Sequence, residues 1–176
     1  VGNYVDRDQP LQARGNCQSS YLLRPSGDGR YGAPIPLDPS ACPLSLLFVD
    51  WAGDGRFDLR AANDRQYYDR GLTEQLWRLT AAGVRPLGEA DGWRGSNLWG
   101  MGLAAADLDG DLKPEIAVTN MADNHLEALA ATAGGAPTYR NAAFDWGTMA
   151  QRPYAGGDVR PSTSWHVEFE DFDNDG

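Results

Sequence analysis

Lysine is nearly missing from this chain: Lys113 is the single one among 15 basic residues, and these are outnumbered by 25 acids for a formal charge of −10. That balance disfavours nucleic acid or an anionic membrane surface as partner, since both demand basic patches, and it favours cations. Long hydrophobic runs are also lacking. The longest candidate, residues 43–49, falls far short of the ~18 apolar residues a membrane-spanning helix needs. The first residues carry neither the basic nor the apolar region of a signal peptide and no initiating Met, as expected of a processed chain.

Catalytic and phosphate-binding signatures are equally scarce. There is no Gly-x-Ser-x-Gly elbow, no Gly-x-x-x-x-Gly-Lys loop, no Asn-x-Ser/Thr sequon and no Arg-Gly-Asp triplet. His125 and His166 are the only histidines; His125 follows Asp123 and Asn124 in a polar stretch and reads as solvated, whereas His166 reads as a packed or interfacial strand residue. Cys17 and Cys42 are the only cysteines and have no zinc-ligand spacing, so a disulfide closing 25 residues is expected. It would stabilise by about 3 kcal/mol and imply an oxidising compartment.

Turn formers are abundant, with 21 Gly and 11 Pro, and helical periodicity is hard to find. A hairpin is expected from residues 21–24 and 30–37 around a turn at Asp28 and Gly29, followed by strands at 46–50, 57–61, 74–79 and an irregular 84–88. Of the six tryptophans, Trp77 and Trp165 read as core, and Trp93, Trp99 and Trp146 as exposed beside Gly-rich loops.

An internal repeat organises the whole chain. Three segments, at 47–58, 104–115 and 167–176, each run an apolar strand into an acidic, glycine-containing loop. Their first aspartates, Asp50, Asp107 and Asp171, lie 57 and then 64 residues apart, enough for about four short strands per unit, the size of a propeller blade. The chain is accordingly read as all-β: an unassigned segment at 1–20, then about two and a half blades over 21–176.

Carboxylates at loop positions 1, 3, 5 and 9 are what Ca²⁺ requires, because it takes about six to eight oxygens at roughly 2.3–2.6 Å. The second loop has all four, Asp107, Asp109, Asp111 and Glu115, but Leu112 stands at position 6, where a sharp turn favours glycine. The first offers Asp50, Asp54 and Asp58, with ligandless Ala52 at position 3. In the third, Asp171, Asp173 and Asp175 are in place. An EF-hand is disfavoured, since position 12 of the second loop is Val118 where that motif needs a bidentate Glu, and the flanks are too short for helices.

These loops resemble the Asp-x-Asp-x-Asp-Gly-x-x-Asp motif of FG-GAP or VCBS repeats, the calcium-binding blades of integrin-α-like β-propellers. Gly27-Asp-Gly-Arg-Tyr-Gly-Ala-Pro34 resembles the hairpin that names the repeat, and residues 100–120 and 162–176 are most similar to the branch related to cartilage acidic protein. The resemblance implies an exported, extracellular or periplasmic propeller that binds calcium and presents a rigid face to a protein or glycan partner, without catalysis. Two other classes compete: a propeller-based polysaccharide lyase or hydrolase, which would need a polar cleft with His166 and Tyr139, and a structural accessory subunit of a larger exported assembly.

Overall fold

The computed structural model describes residues 1–6, 8, 17–64, 73–149 and 163–173. These residues form an all-β arrangement, with ten strands in three antiparallel sheets among them. The hairpin β1 (Ser20–Leu22) and β2 (Ile35–Leu37) comes first. Next is a four-stranded meander of β3 (Pro43–Val49), β4 (Asp58–Asn63), β5 (Gln75–Thr80) and β6 (Gly83–Pro86). A second meander follows, of β7 (Gly100–Ala106), β8 (Glu115–Asn120), β9 (His125–Ala133) and β10 (Ala136–Asn141). The first and second acidic loops each join the first two strands of their own meander.

The expected hairpin and four strands of the first unit are all present. In the hairpin tip it is Gly27 and Gly29, not Asp28, that take positive φ. The N-terminal residues lie beside β1: the Val1 amino group donates to the Tyr21 carbonyl at 2.7 Å, and Val5 bridges Cys17. Cys17 and Cys42 are disulfide-bonded, as their pairing in the sequence suggested.

Strand alternation explains how the sheets stack, because successive side chains point to opposite faces. Along β4, Leu59 and Ala61 pack with Leu37 of the hairpin and Trp77 of β5. Ala62 on the opposite face joins Val49 and Trp51 against Leu103, Ile116 and Val118 of the second meander. Every residue of β4 is therefore buried, which is why it carries no solvent-facing polar alternation. Burying a side chain such as Leu59 or Ile116 contributes about 1.5–3 kcal/mol.

Four expectations fail for identifiable reasons, the first being His166, whose side chain is 79% exposed in a stretch that forms no strand and is not packed. Trp93 is only 5% exposed, because its ring meets Tyr139 edge-on and its Nε1 donates to the Glu74 carbonyl at 3.2 Å. Trp165 is 63% exposed and not core: the stretch 163–171 forms no strand, though it lies on β7, where a Cβ at Gly102 would stand 2.7 Å from the Trp165 carbonyl oxygen. His125 is half-buried at the start of β9, opposite Val118, and not solvated in a loop. Burial pushes its pKa below the ordinary histidine value, with Glu127 opposing.

Between the meanders sits a buried charge triad. Arg60, on the same face of β4 as Ala62, donates from Nη2 to Glu74 Oε2 at 2.6 Å. Its Nη1 lies 2.6 Å from Glu127 Oε2 on β9, off the line of its N–H bonds, so this contact is an ion pair and not an aligned hydrogen bond. The guanidinium also stacks 5.4 Å from the ring centres of both Trp93 and Tyr139. Burial pushes the Glu74 pKa up to about 7, against the pull of Arg60.

Two outcomes follow. Arg60→Met leaves two carboxylates buried without their counter-ion and is expected to destabilise by about 3–5 kcal/mol in urea unfolding at neutral pH. For Glu74 the folded pKa lies above the unfolded value of 4.5, so the native state binds the extra proton between these limits. The stability this group contributes is complete below about pH 4.5 and is lost as pH rises to about 7. Glu74→Gln should remove that segment, so that the stability of the parent relative to this variant falls across the window in paired denaturant titrations.

Candidate metal centre

The second acidic loop is built by a tight chain reversal between β7 and β8. Asp107, at the exit of β7, accepts backbone N–H groups from Gly110 at 2.8 Å and Asp111 at 3.1 Å on Oδ1, and from Leu112 at 2.9 Å on Oδ2. These bonds curl the loop around its first carboxylate. Glu115 opens β8, is buried, and is held by the Leu108 N–H at 2.9 Å. Asp109 accepts from Asp111 N–H at 3.2 Å.

The result is a cluster in which oxygens of Asp107, Asp109 and Glu115 lie within 4.8 Å of one another. Two oxygens bound to one Ca²⁺ at about 2.4 Å can be at most ~4.8 Å apart, so the three oxygens meet the limit for sharing one cation. Carboxylates at that separation repel by about 1–3 kcal/mol per pair at effective dielectric constants between those of water and a protein surface.

Asp111 stands apart from this group. Its carboxylate pairs with Lys113 Nζ at 3.1 Å, and its pKa is lowered by the hydrogen bonds from the Lys113 side chain and backbone. Leu112 does adopt the left-handed backbone expected of position 6, with φ 67°, and its side chain is 79% exposed. It thus carries strain without packing in return.

The first loop has the same backbone plan but a different electrostatic solution. Asp50 accepts from Asp54 N–H at 3.1 Å and Gly55 N–H at 2.6 Å. Asp54 is paired to Arg56, which lowers its pKa. Asp58 is buried and already bonded, taking the Trp51 indole N–H at 2.8 Å and Arg78 Nη2 at 3.1 Å. Asp50, Asp54 and Asp58 are therefore not brought together as the second loop's acids are. In the third loop Asp171 and Asp173 are exposed, and Asp175 lies outside the described residues.

The two described loops touch. A Cβ at Gly53 would stand 2.5 Å from the carbonyl oxygen of Leu112, and Gly53 has φ 68°, so both space and backbone demand glycine there. The acidic turns of the two units consequently share one rim.

The residues named for a possible enzymatic cleft sit in unlike settings. Tyr139 packs on Arg60 with its pKa raised by burial, whereas the His166 side chain is 79% exposed and lies 3.5 Å from Glu168. Sequence reasoning passed over Arg60, Glu74, Glu127 and Arg78; the one available signal was the arginine set between Leu59 and Ala61 at position 60. Comparison of the chain with protein-family models, with curated proteins and with solved structures found no match.

Substitutions at the shared rim should separate strain from contact. Leu112→Asn, which tolerates the left-handed region, is expected to stabilise by about 0.5–1 kcal/mol. Gly53→Ala should destabilise by about 2 kcal/mol, since it adds a clash to an unfavourable φ. Thermal melting of both variants in the same buffer checks the opposite signs.

Proposed function

We propose that this chain is part of a calcium-stabilised β-propeller of the FG-GAP or VCBS type, exported from the cell and serving as a rigid binding module for a protein or glycan partner. The two stacked four-stranded meanders, each opening with an acidic loop between its first and second strands, support the propeller reading. The disulfide and the absence of a long apolar helix among the described residues are compatible with export.

The observation that carries the calcium reading is the convergence of Asp107, Asp109 and Glu115 within 4.8 Å of one another, with Lys113 diverted to Asp111. An ion held by these carboxylates, with oxygens from the backbone and water completing its shell, would relieve their repulsion and fix the β7–β8 turn. A turn braced in this way holds the adjoining loop through Gly53, and the rim becomes a rigid surface for recognition.

Calcium at a hundredfold excess over its dissociation constant is expected to stabilise the chain by about 2.7 kcal/mol. Differential scanning calorimetry with calcium and with chelator measures this. Glu115→Gln combined with Asp107→Asn should abolish the response, while Asp111→Ala should leave most of it. An unchanged melting temperature in the parent chain would sink the reading.

A further inference from the structure

We propose that the first acidic loop, residues 50–58, is closed by the protein's own cation, the guanidinium of Arg78, and takes no divalent ion. This extends the calcium reading of the second loop by assigning the ion to that loop and excluding it from its neighbour.

The ninth loop position and the residue facing it across the sheet decide how each loop is neutralised. In the first unit that position is Asp58, and the ladder places Arg78 of β5 directly opposite. Arg78 donates from Nη2 to Asp58 Oδ2 at 3.1 Å and from Nε to both carboxylate oxygens at 3.3 Å. Trp51 Nε1 takes a further site on Oδ2 at 2.8 Å, and Leu79 N–H approaches Oδ1 at 3.4 Å. The guanidinium stacks 6.0 Å from the Trp51 ring centre and reaches the Gly135 carbonyl at 2.7 Å, in the β9–β10 turn of the other meander. A carboxylate with this many donors has little left for a metal.

The remaining positions agree. Ala52 offers no oxygen at position 3, and Asp54 at position 5 is paired to Arg56. In the second unit the ninth position is Glu115. The ladder pairs Ile116 with Glu127, so one step along the position facing Glu115 is Ala128, which carries no charge. Arginine or alanine at this facing position distinguishes a loop that supplies its own cation from one that must bind one.

The test is a calcium chloride titration of the isotope-labelled chain, followed through backbone amides and the arginine Nε–H signals. Gly55, Asp58 and the Arg78 Nε–H are expected to stay in place to millimolar calcium while Gly110 and Leu112 shift and saturate. Saturable movement of Gly55 and Arg78 that persists in Glu115→Gln would overturn the proposal. If neither loop responds, the calcium reading of the second loop fails and the closed first loop stands.

A gain-of-binding arm addresses Arg78 itself, in the Glu115→Gln background. Ala52→Asp alone should show no calcium-dependent rise in melting temperature, whereas Ala52→Asp with Arg78→Gln should acquire one. A rise in the single variant, or none in a folded double variant, would show that Arg78 is not what excludes the ion.

Discussion

A guanidinium that is 1% exposed cannot be left without counter-charge, and at Arg60 the two meanders share the task of supplying it. Glu74 comes from the first and Glu127 from the second, with Trp93 and Tyr139 covering the faces of the ion. The apolar contacts around Val49, Leu103 and Ile116 tolerate small slips of one sheet over the other, since dispersion and burial are not directional. Arg60 adds to them a fixed charge that is met by Glu74 of one meander and by Glu127 and the Tyr139 ring of the other.

At the rim of the same two meanders the loops lie close enough for Gly53 to face the Leu112 carbonyl. Two acidic turns at such proximity pose a repulsion problem that the units solve differently. The first draws basic side chains inward, Arg78 from the neighbouring strand and Arg56 from within the loop. The second has only Lys113, and it is held by Asp111, outside the cluster. Asp107, Asp109 and Glu115 are thereby left clustered without a basic partner among the described residues.

Much of the fold was legible because short antiparallel strands with one buried face write themselves as alternation. The strands expected at 46–50, 57–61 and 74–79 overlap β3, β4 and β5, and the acidic loops gave the spacing of the two units. What escaped has physical reasons. β9 begins at His125, directly after the polar Asp123 and Asn124, so its start reads as loop, and its continuation through alanines has no contrast between faces. Trp93 follows a glycine-rich turn, yet its burial is decided by Tyr139 and Glu74, distant in sequence. Asp109 and Asp111 look equivalent in the motif; only the neighbouring Lys113 separates them.

The same limit applies to Arg78 and Ala128. Neither is remarkable in its own stretch of sequence, and their equivalence exists only through the ladders that pair Asp58 with Arg78 and Ile116 with Glu127. A repeat detected from its loops counts possible sites, because it counts acids. Whether an acid remains available depends on the residue one strand away, and along the chain that residue lies a further hairpin on. The loop motif therefore reports where a cation of some kind is needed, and the cross-strand partner determines whether the chain already contains it.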